Sequence, residues 1–293
     1  MPEPAGLSPA APFPDPAAVA GFVAARERVR RGIARACERS GRDPATVTLV
    51  AVGKTVDPAR LRAAVAAGLT VIGENRVQEA QQKVPAVPGA RWHLVGPLQA
   101  NKARRAVAIF DVIESVDSVA LAARLDRIAG ELRPGRPLPI LLQVNVDADP
   151  AKAGFAPDDL ADAMPVLLRL ANLELGGLMT VGRAVAGAEE ARSTFRALRV
   201  LSERLRGLAP GRADPGERPA GLARGLGPAL SMGMSGDYPV AVEEGATLVR
   251  VGRAIFGEWA GAVAEGPQAV PAPGGAEAAP APGPGRSVVT ERA

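Results

Sequence analysis

Residues 47–54 read Val-Thr-Leu-Val-Ala-Val-Gly-Lys, an apolar run that stops at a glycine and a lysine. A nearly continuous apolar run is typical of a strand that is buried on both faces of a parallel sheet. Seven more runs of this character follow, at residues 69–72, 92–95, 112–116, 139–146, 173–179, 229–232 and 248–251. Eight strands that alternate with helix-like segments predict an α/β fold, a closed (β/α)8 TIM barrel. An open, doubly wound parallel sheet is the alternative.

The segments between these runs carry helix signals. Leu121, Leu125, Ile128 and Leu132 recur at the spacing of one helical face. The pair at residues 57–58, Asp-Pro, supplies an N-cap and a first-turn proline. Apolar residues at positions 22, 29, 33 and 37 lie before the first strand, so they predict an extra N-terminal helix outside the eight repeats.

Composition sets the expected limits of the domain. Six prolines fall within residues 1–17, which predicts a disordered N-terminal tail. From residue 265 to the end, 11 of 29 residues are Gly or Pro, and we expect residues 263–293 to form a disordered Pro/Ala/Gly-rich C-terminal tail. Residues 18–262 then form the barrel domain, with a long loop at 209–228.

The rarer residue types exclude several classes of protein. One cysteine, Cys37, leaves no intramolecular disulfide framework, and one histidine, His93, makes a His-based metal centre or a Ser-His-Asp triad improbable. No apolar run approaches the ~20 residues of a membrane-spanning helix, and the N-terminus lacks the pattern of a secretory signal. The net charge is only +4 and aromatic residues make up 3%, so nothing favours a nucleic-acid ligand. We expect a cytoplasmic protein, and a monomer, since no large apolar stripe is evident.

Polar and charged residues stand at the carboxyl ends of the predicted strands, where a barrel carries its functional groups. They include Lys54, Glu74, Asn75, Gly96, Ser115, Asn145, Thr180, Ser231, Ser235, Arg250, Gly252 and Arg253. This set combines hydroxyls, amides, glycines and cations, and it contains no cluster of metal ligands. Such a composition predicts a site for a small anionic ligand.

Two features of this set suggest specific chemistry. Burial at the tip of a strand would lower the pKa of Lys54 and provide a neutral amine for Schiff-base formation, although a solvated lysine at the rim is the simpler interpretation. The turns after the seventh and eighth strands can bind a phosphate through backbone N–H groups, or they can be ordinary turns. Because both turns follow the expected strands and Lys54 follows the first strand, we favour the interpretation that they form one binding site.

Six segments resemble the pyridoxal phosphate homeostasis proteins, whose fold is similar to the N-terminal barrel of alanine racemase. They are residues 52–55 (VGKT), 73–79 (GENRVQE), 92–102 (WHLVGPLQANK), 177–180 (GLMT), 230–235 (LSMGMS) and 249–252 (VRVG). The resemblance implies a (β/α)8 barrel that holds pyridoxal 5′-phosphate as a Schiff base with Lys54. It places Asn75 near the ring hydroxyl and Arg250 opposite the pyridine nitrogen.

The same resemblance assigns the phosphate to residues of the last strands. Ser231, Ser235, Gly252, Arg253 and Thr180 would surround it, with Gly252 and Arg253 acting through backbone N–H groups. Pro97 departs from the family pattern, since many relatives carry histidine there.

The resemblance implies a non-catalytic carrier that takes part in intracellular vitamin B6 homeostasis. It would hold the cofactor without efficient turnover, and apo-enzymes that need the cofactor are the expected recipients. The racemases draw an opposing tyrosine from a second domain, and we expect none here because the chain after Trp259 is rich in Pro, Ala and Gly. A racemase-type enzyme remains the alternative. A weaker one is an aldolase that forms its imine with a sugar phosphate.

Overall fold

The computed structural model describes residues 14–183, 185–207 and 225–257. It confirms a closed parallel barrel in which each strand pairs with the next in chain order and the last pairs with the first. The strands are β1 (Thr48–Val52), β2 (Val71–Glu74), β3 (Arg91–Leu94), β4 (Val112–Val116), β5 (Leu138–Gln143), β6 (Leu173–Met179), β7 (Ala229–Ser231) and β8 (Leu248–Val251). The open sheet is therefore wrong.

Helices surround this barrel. In the described ranges they are α1 (Pro16–Ser40), α2 (Pro58–Ala66), α3 (Val77–Lys83), α4 (Ala103–Ile109), α5 (Val119–Leu132), α6 (Pro157–Leu167), α7 (Arg192–Gly207), α8 (Tyr238–Glu243) and α9 (Arg253–Phe256). The side chain of Asp57 accepts a hydrogen bond from the backbone N–H of Arg60 (2.9 Å), as its N-cap position predicts. None of the helices in the described part combines the length and the apolar character that crossing a bilayer requires.

The extra N-terminal helix is confirmed as α1, which begins at Pro16 and packs against α2, α8 and α9. Its buried face includes Phe22, Val29 and Ile33. Residues 1–13, the predicted tail at 263–293 and most of the loop at 209–228 lie outside the described residues. The predicted domain limits therefore stay predictions.

Two glycines of α1 test how this helix packs on the barrel. Gly21 is exposed and a Cβ there would contact nothing within 4 Å, so Gly21→Ala should raise the free energy of unfolding by about 0.5–1 kcal/mol through helix propensity. Gly32 is buried, and a Cβ would lie 2.0 Å from the hydroxyl oxygen of Tyr238. Gly32→Ala should therefore lower the free energy of unfolding by about 1–3 kcal/mol. Urea unfolding of both variants measures the difference, and equal effects would contradict the packing of α1 on α8.

Candidate functional site

A cavity of about 800 Å³ opens at the carboxyl ends of the strands. Its described lining includes five cationic residues and one carboxylate, together with residues of the segment after β6. The charged residues are Lys54, Lys152, Arg183, Arg250, Arg253 and Asp237. A cavity with this excess of positive charge is suited to an anionic ligand.

Lys54 lies at one side of this cavity, two residues beyond the end of β1. The preceding Gly53 is buried, and a Cβ there would lie 2.7 Å from Cδ2 of Leu61 on α2. The following Thr55 has a φ of 60°, a left-handed conformation that a β-branched residue rarely adopts. The main chain around Lys54 is thus held in an unusual turn.

A buried ion cluster lies beside this turn. Lys83 of α3 donates hydrogen bonds through Nζ to Glu74 Oε2 (2.7 Å), Glu79 Oε2 (3.2 Å) and the Gly53 carbonyl (3.0 Å). Burial raises the pKa of Glu74, and Lys83 opposes that rise. Burial acts in the same direction on Glu79, but hydrogen bonds from the Thr55 N–H and Lys83 outweigh it and lower the pKa of Glu79.

Arg250 forms the floor of the cavity from β8 and is 5% exposed. Its guanidinium donates to Ser231 Oγ (2.7 Å) and to the Thr180 carbonyl (2.7 Å). Burial lowers the pKa of Arg250, whereas the Glu114 carboxylate raises it. Arginine stays protonated at neutral pH because its ordinary pKa exceeds ~12.

Glu114 of β4 is fully buried in the barrel interior and connects Arg250 to His93. Ser231 Oγ donates to Glu114 Oε2 (2.5 Å), and His93 Nδ1 lies 2.6 Å from Glu114 Oε1. Burial alone would raise the pKa of Glu114, but hydrogen bonds from His93 and Ser231 and the charge of Arg250 lower it. The result is a chain of polar contacts across the barrel from β3 to β8.

The turns after β7 and β8 lie together, on neighbouring strands of which β8 pairs with β1. The Ala254 N–H donates to Ser235 Oγ (3.3 Å), and the Arg250 N–H donates to the Gly233 carbonyl (3.0 Å). Gly233 has a φ of 87°, and a Cβ there would lie 2.5 Å from Cβ of Ala241. These contacts bring Ser235, Gly252 and Arg253 to one part of the cavity wall.

The family resemblance assigns eight residues to the cofactor, and six of them line the cavity in the structure. They are Lys54, Asn75, Ser235, Arg250, Gly252 and Arg253. Ser231 and Thr180 are buried beneath the cavity and are not among its described lining residues. Thr180 Oγ1 donates to the Val144 carbonyl (2.8 Å), and Ser231 contacts Glu114 and Arg250. Both accept hydrogen bonds from the Arg250 guanidinium, Ser231 through Oγ and Thr180 through its carbonyl. The contact with phosphate that the family resemblance implies for them stays a prediction.

Asn75 owes its place to a close backbone contact. A Cβ at Gly96, after β3, would lie 2.4 Å from the Asn75 carbonyl oxygen, so the chain after β2 can approach β3 only at a glycine. The Asn75 N–H donates to Glu74 Oε1 (2.9 Å).

Sequence reasoning missed four charged residues at or near the cavity: Lys83, Glu114, Lys152 and Arg183. The burial of Lys83 could have been predicted, since its spacing from Val77 and Ala80 places it on the same buried face of α3. Lys152 and Arg183 lie in loops, where Lys152 Nζ donates to the Gly182 carbonyl (2.6 Å), and periodicity gives no information there.

Comparisons with known proteins agree on one family. The model of the alanine racemase N-terminal domain matches residues 27–259. The chain is 40% identical over 235 residues to the pyridoxal phosphate homeostasis protein of Pseudomonas aeruginosa, covering 78% of this chain and 92% of that one. It is 37% identical over 233 residues to the protein of the same name from Aquifex aeolicus, covering 79% and 95%.

Solved structures give the same result. PipY of Synechococcus elongatus, solved with PLP bound, is 42% identical, with a TM-score of 0.64 over 77% of this chain and all of that one. An alanine racemase of Clostridium difficile is 14% identical, with a TM-score of 0.56 over 80% of this chain and 60% of that one, which shows a shared fold alone.

Proposed function

The chain belongs to the family of pyridoxal phosphate homeostasis proteins, and we propose that it binds pyridoxal 5′-phosphate in the cavity and takes part in intracellular vitamin B6 homeostasis. The observation that carries the proposal is that one cavity, rich in cations, joins Lys54, Arg250 and the turns after β7 and β8.

The residues present fit this cofactor. When bound, it supplies an aldehyde that reacts with a primary amine, together with an aromatic ring nitrogen and a phosphate. Lys54 would provide the amine that reacts with this aldehyde and would so hold the cofactor covalently. Ser235 and the backbone N–H groups of Gly252 and Arg253 would hold the phosphate, and Asn75 would face the ring hydroxyl.

We propose that the protein holds the cofactor without efficient turnover. Arg250 remains charged, so it would face the pyridine nitrogen as a hydrogen-bond donor and would leave that nitrogen unprotonated. This limits the ability of the ring to accept electrons. A racemase-type enzyme would need a second base opposite Lys54. Tyr238 is a poor candidate because its hydroxyl packs against Gly32 of α1.

The proposal extends to the partners and the compartment. Apo-enzymes that depend on pyridoxal phosphate are the recipients we propose, the protein acts as a monomer, and the cytoplasm is its compartment. The recipients are inferred from the family, whereas the monomeric state and the compartment are inferred from the composition of the sequence.

Reduction with borohydride tests the proposed function directly. Purified protein mixed with pyridoxal 5′-phosphate should gain a visible absorption band that borohydride removes, and peptide mass spectrometry should then find the cofactor on Lys54. The reason is that reduction converts the C=N bond to a stable amine at the residue that formed it. Protein that takes up no cofactor, or that carries it scattered over surface lysines, would contradict the proposal.

A further inference from the structure

Hydrogen bonds hold the main chain on both sides of Lys54. Before it, the Gly53 carbonyl accepts from Lys83 Nζ (3.0 Å). After it, the Thr55 N–H donates to Glu79 Oε2 (3.2 Å), and the same oxygen accepts from Lys83 Nζ (3.2 Å). One ammonium group therefore connects to both peptide groups that flank Lys54, to one directly and to the other through a carboxylate.

The environment of Lys83 is unusual for a lysine. Its side chain is 9% exposed, and its third partner, Glu74, has a side chain that is 0% exposed. Three acceptors use the three donor hydrogens of the ammonium. Burying charges is costly even when they are paired, and an apolar residue would satisfy the packing of this face as Val77 and Ala80 do. Packing against the barrel therefore does not account for a lysine at this position.

The turn at Thr55 explains why a lysine stands at position 83. A non-glycine residue in the left-handed region costs about 1–3 kcal/mol and persists when its surroundings enforce it. The Glu79 carboxylate holds the Thr55 N–H, and Lys83 holds that carboxylate in place. The strained turn and the buried cluster thus form one unit with the residue that carries the amine.

We infer that Lys83 is a positioning residue for Lys54: through the Gly53 carbonyl and Glu79 it fixes the turn that orients the Lys54 amine into the cavity. The inference rests on the proposed function, because it concerns the rate at which Lys54 captures the aldehyde. Misplacing a reacting group by about 1 Å can slow a reaction about 100-fold. Binding of the phosphate and ring, which depends on the turns after β7 and β8, does not require the Lys83 contacts.

Lys83→Met tests this separation because it keeps most of the side-chain volume and removes the three hydrogen bonds. We expect the folded variant to capture pyridoxal 5′-phosphate about 10–100-fold more slowly than the wild type, by stopped-flow absorbance. Its affinity for pyridoxine 5′-phosphate, an alcohol that cannot form the C=N bond, should stay within about twofold by calorimetry. Parallel losses of capture and of alcohol binding would overturn the inference, because they would indicate a general structural role.

A second pair of variants decides the question should Lys83→Met fail to fold. Glu79→Gln keeps an oxygen that can accept from the Thr55 N–H, whereas Glu79→Ala removes it; both remove the charge. We expect capture by Glu79→Ala to be at least about fivefold slower than capture by Glu79→Gln. Equal capture rates for the two folded variants would refute the inference. A wild-type protein that captures no aldehyde would instead refute the proposed function, so the two failures are distinct.

Discussion

Lys54→Ala is expected to reduce the borohydride-trapped cofactor from nearly one per chain to background. The variant lacks the only amine that the sequence places at the carboxyl end of β1, and borohydride fixes the cofactor only where a C=N bond exists. Arg250 and Arg253, on and directly after the neighbouring strand β8, remain in the cavity lining, so reversible binding of the phosphate should persist. Mass spectrometry of the reduced protein measures the first effect, and calorimetry with pyridoxine 5′-phosphate measures the second.

Lys152→Ala is the matched control for this experiment. Lys152 also lines the cavity with an amine, but it lies in the loop after β5 and its Nζ donates to the Gly182 carbonyl. Trapping on Lys54 should remain in this variant. Should Lys152→Ala lose the label while Lys54→Ala retains it, the assignment of the reactive amine would be wrong.

The barrel could be predicted because its strands are defined by local sequence. The runs at 112–116, 173–179 and 248–251 coincide with β4, β6 and β8. The β2 prediction began two residues early because the Leu69 N–H donates to the Ala64 carbonyl and so closes the end of α2. The β5 prediction ran three residues too far, because Asn145 Oδ1 accepts from the Asp149 N–H and turns the chain into a loop. In both cases a hydrogen bond, not hydrophobicity, sets the strand end.

The site was predictable only in part, for a related reason. Residues at strand ends are found once the strands are known, and Lys54, Asn75 and Arg250 all line the cavity. Glu114 lies inside an apolar run, and its partner Ser231 is 117 residues away, so no local pattern connects them. Contacts between distant parts of the chain emerge only when the barrel closes.

Glu114→Gln should lower the free energy of unfolding by about 1–3 kcal/mol near neutral pH, because it replaces a buried carboxylate that accepts a hydrogen bond from Ser231 Oγ and contacts His93 Nδ1. The amide retains the shape of the carboxylate but not its charge, so the buried Arg250 guanidinium, which Ser231 connects to Glu114, loses a nearby negative charge. Ser231 Oγ would also lose its carboxylate acceptor. Urea unfolding followed by circular dichroism measures the change. Glu203→Gln, on the exposed face of α7, is the control and should change stability by less than about 0.5 kcal/mol.

The pH dependence of the same two variants tests the cause. The pKa of Glu114 lies below its ordinary value in the folded protein, so folding favours the ionised carboxylate, and this stabilisation is complete above the ordinary value of 4.5. It is lost as the pH falls through the lower pKa of the folded state. The stability gap between the wild type and Glu114→Gln should therefore be widest at pH 6–8 and narrow as the pH falls below about 4.5, whereas Glu203→Gln should follow the wild type throughout. A gap that stays constant down to pH 3 would mean that the loss of stability in Glu114→Gln comes from altered packing and not from the loss of the Glu114 charge.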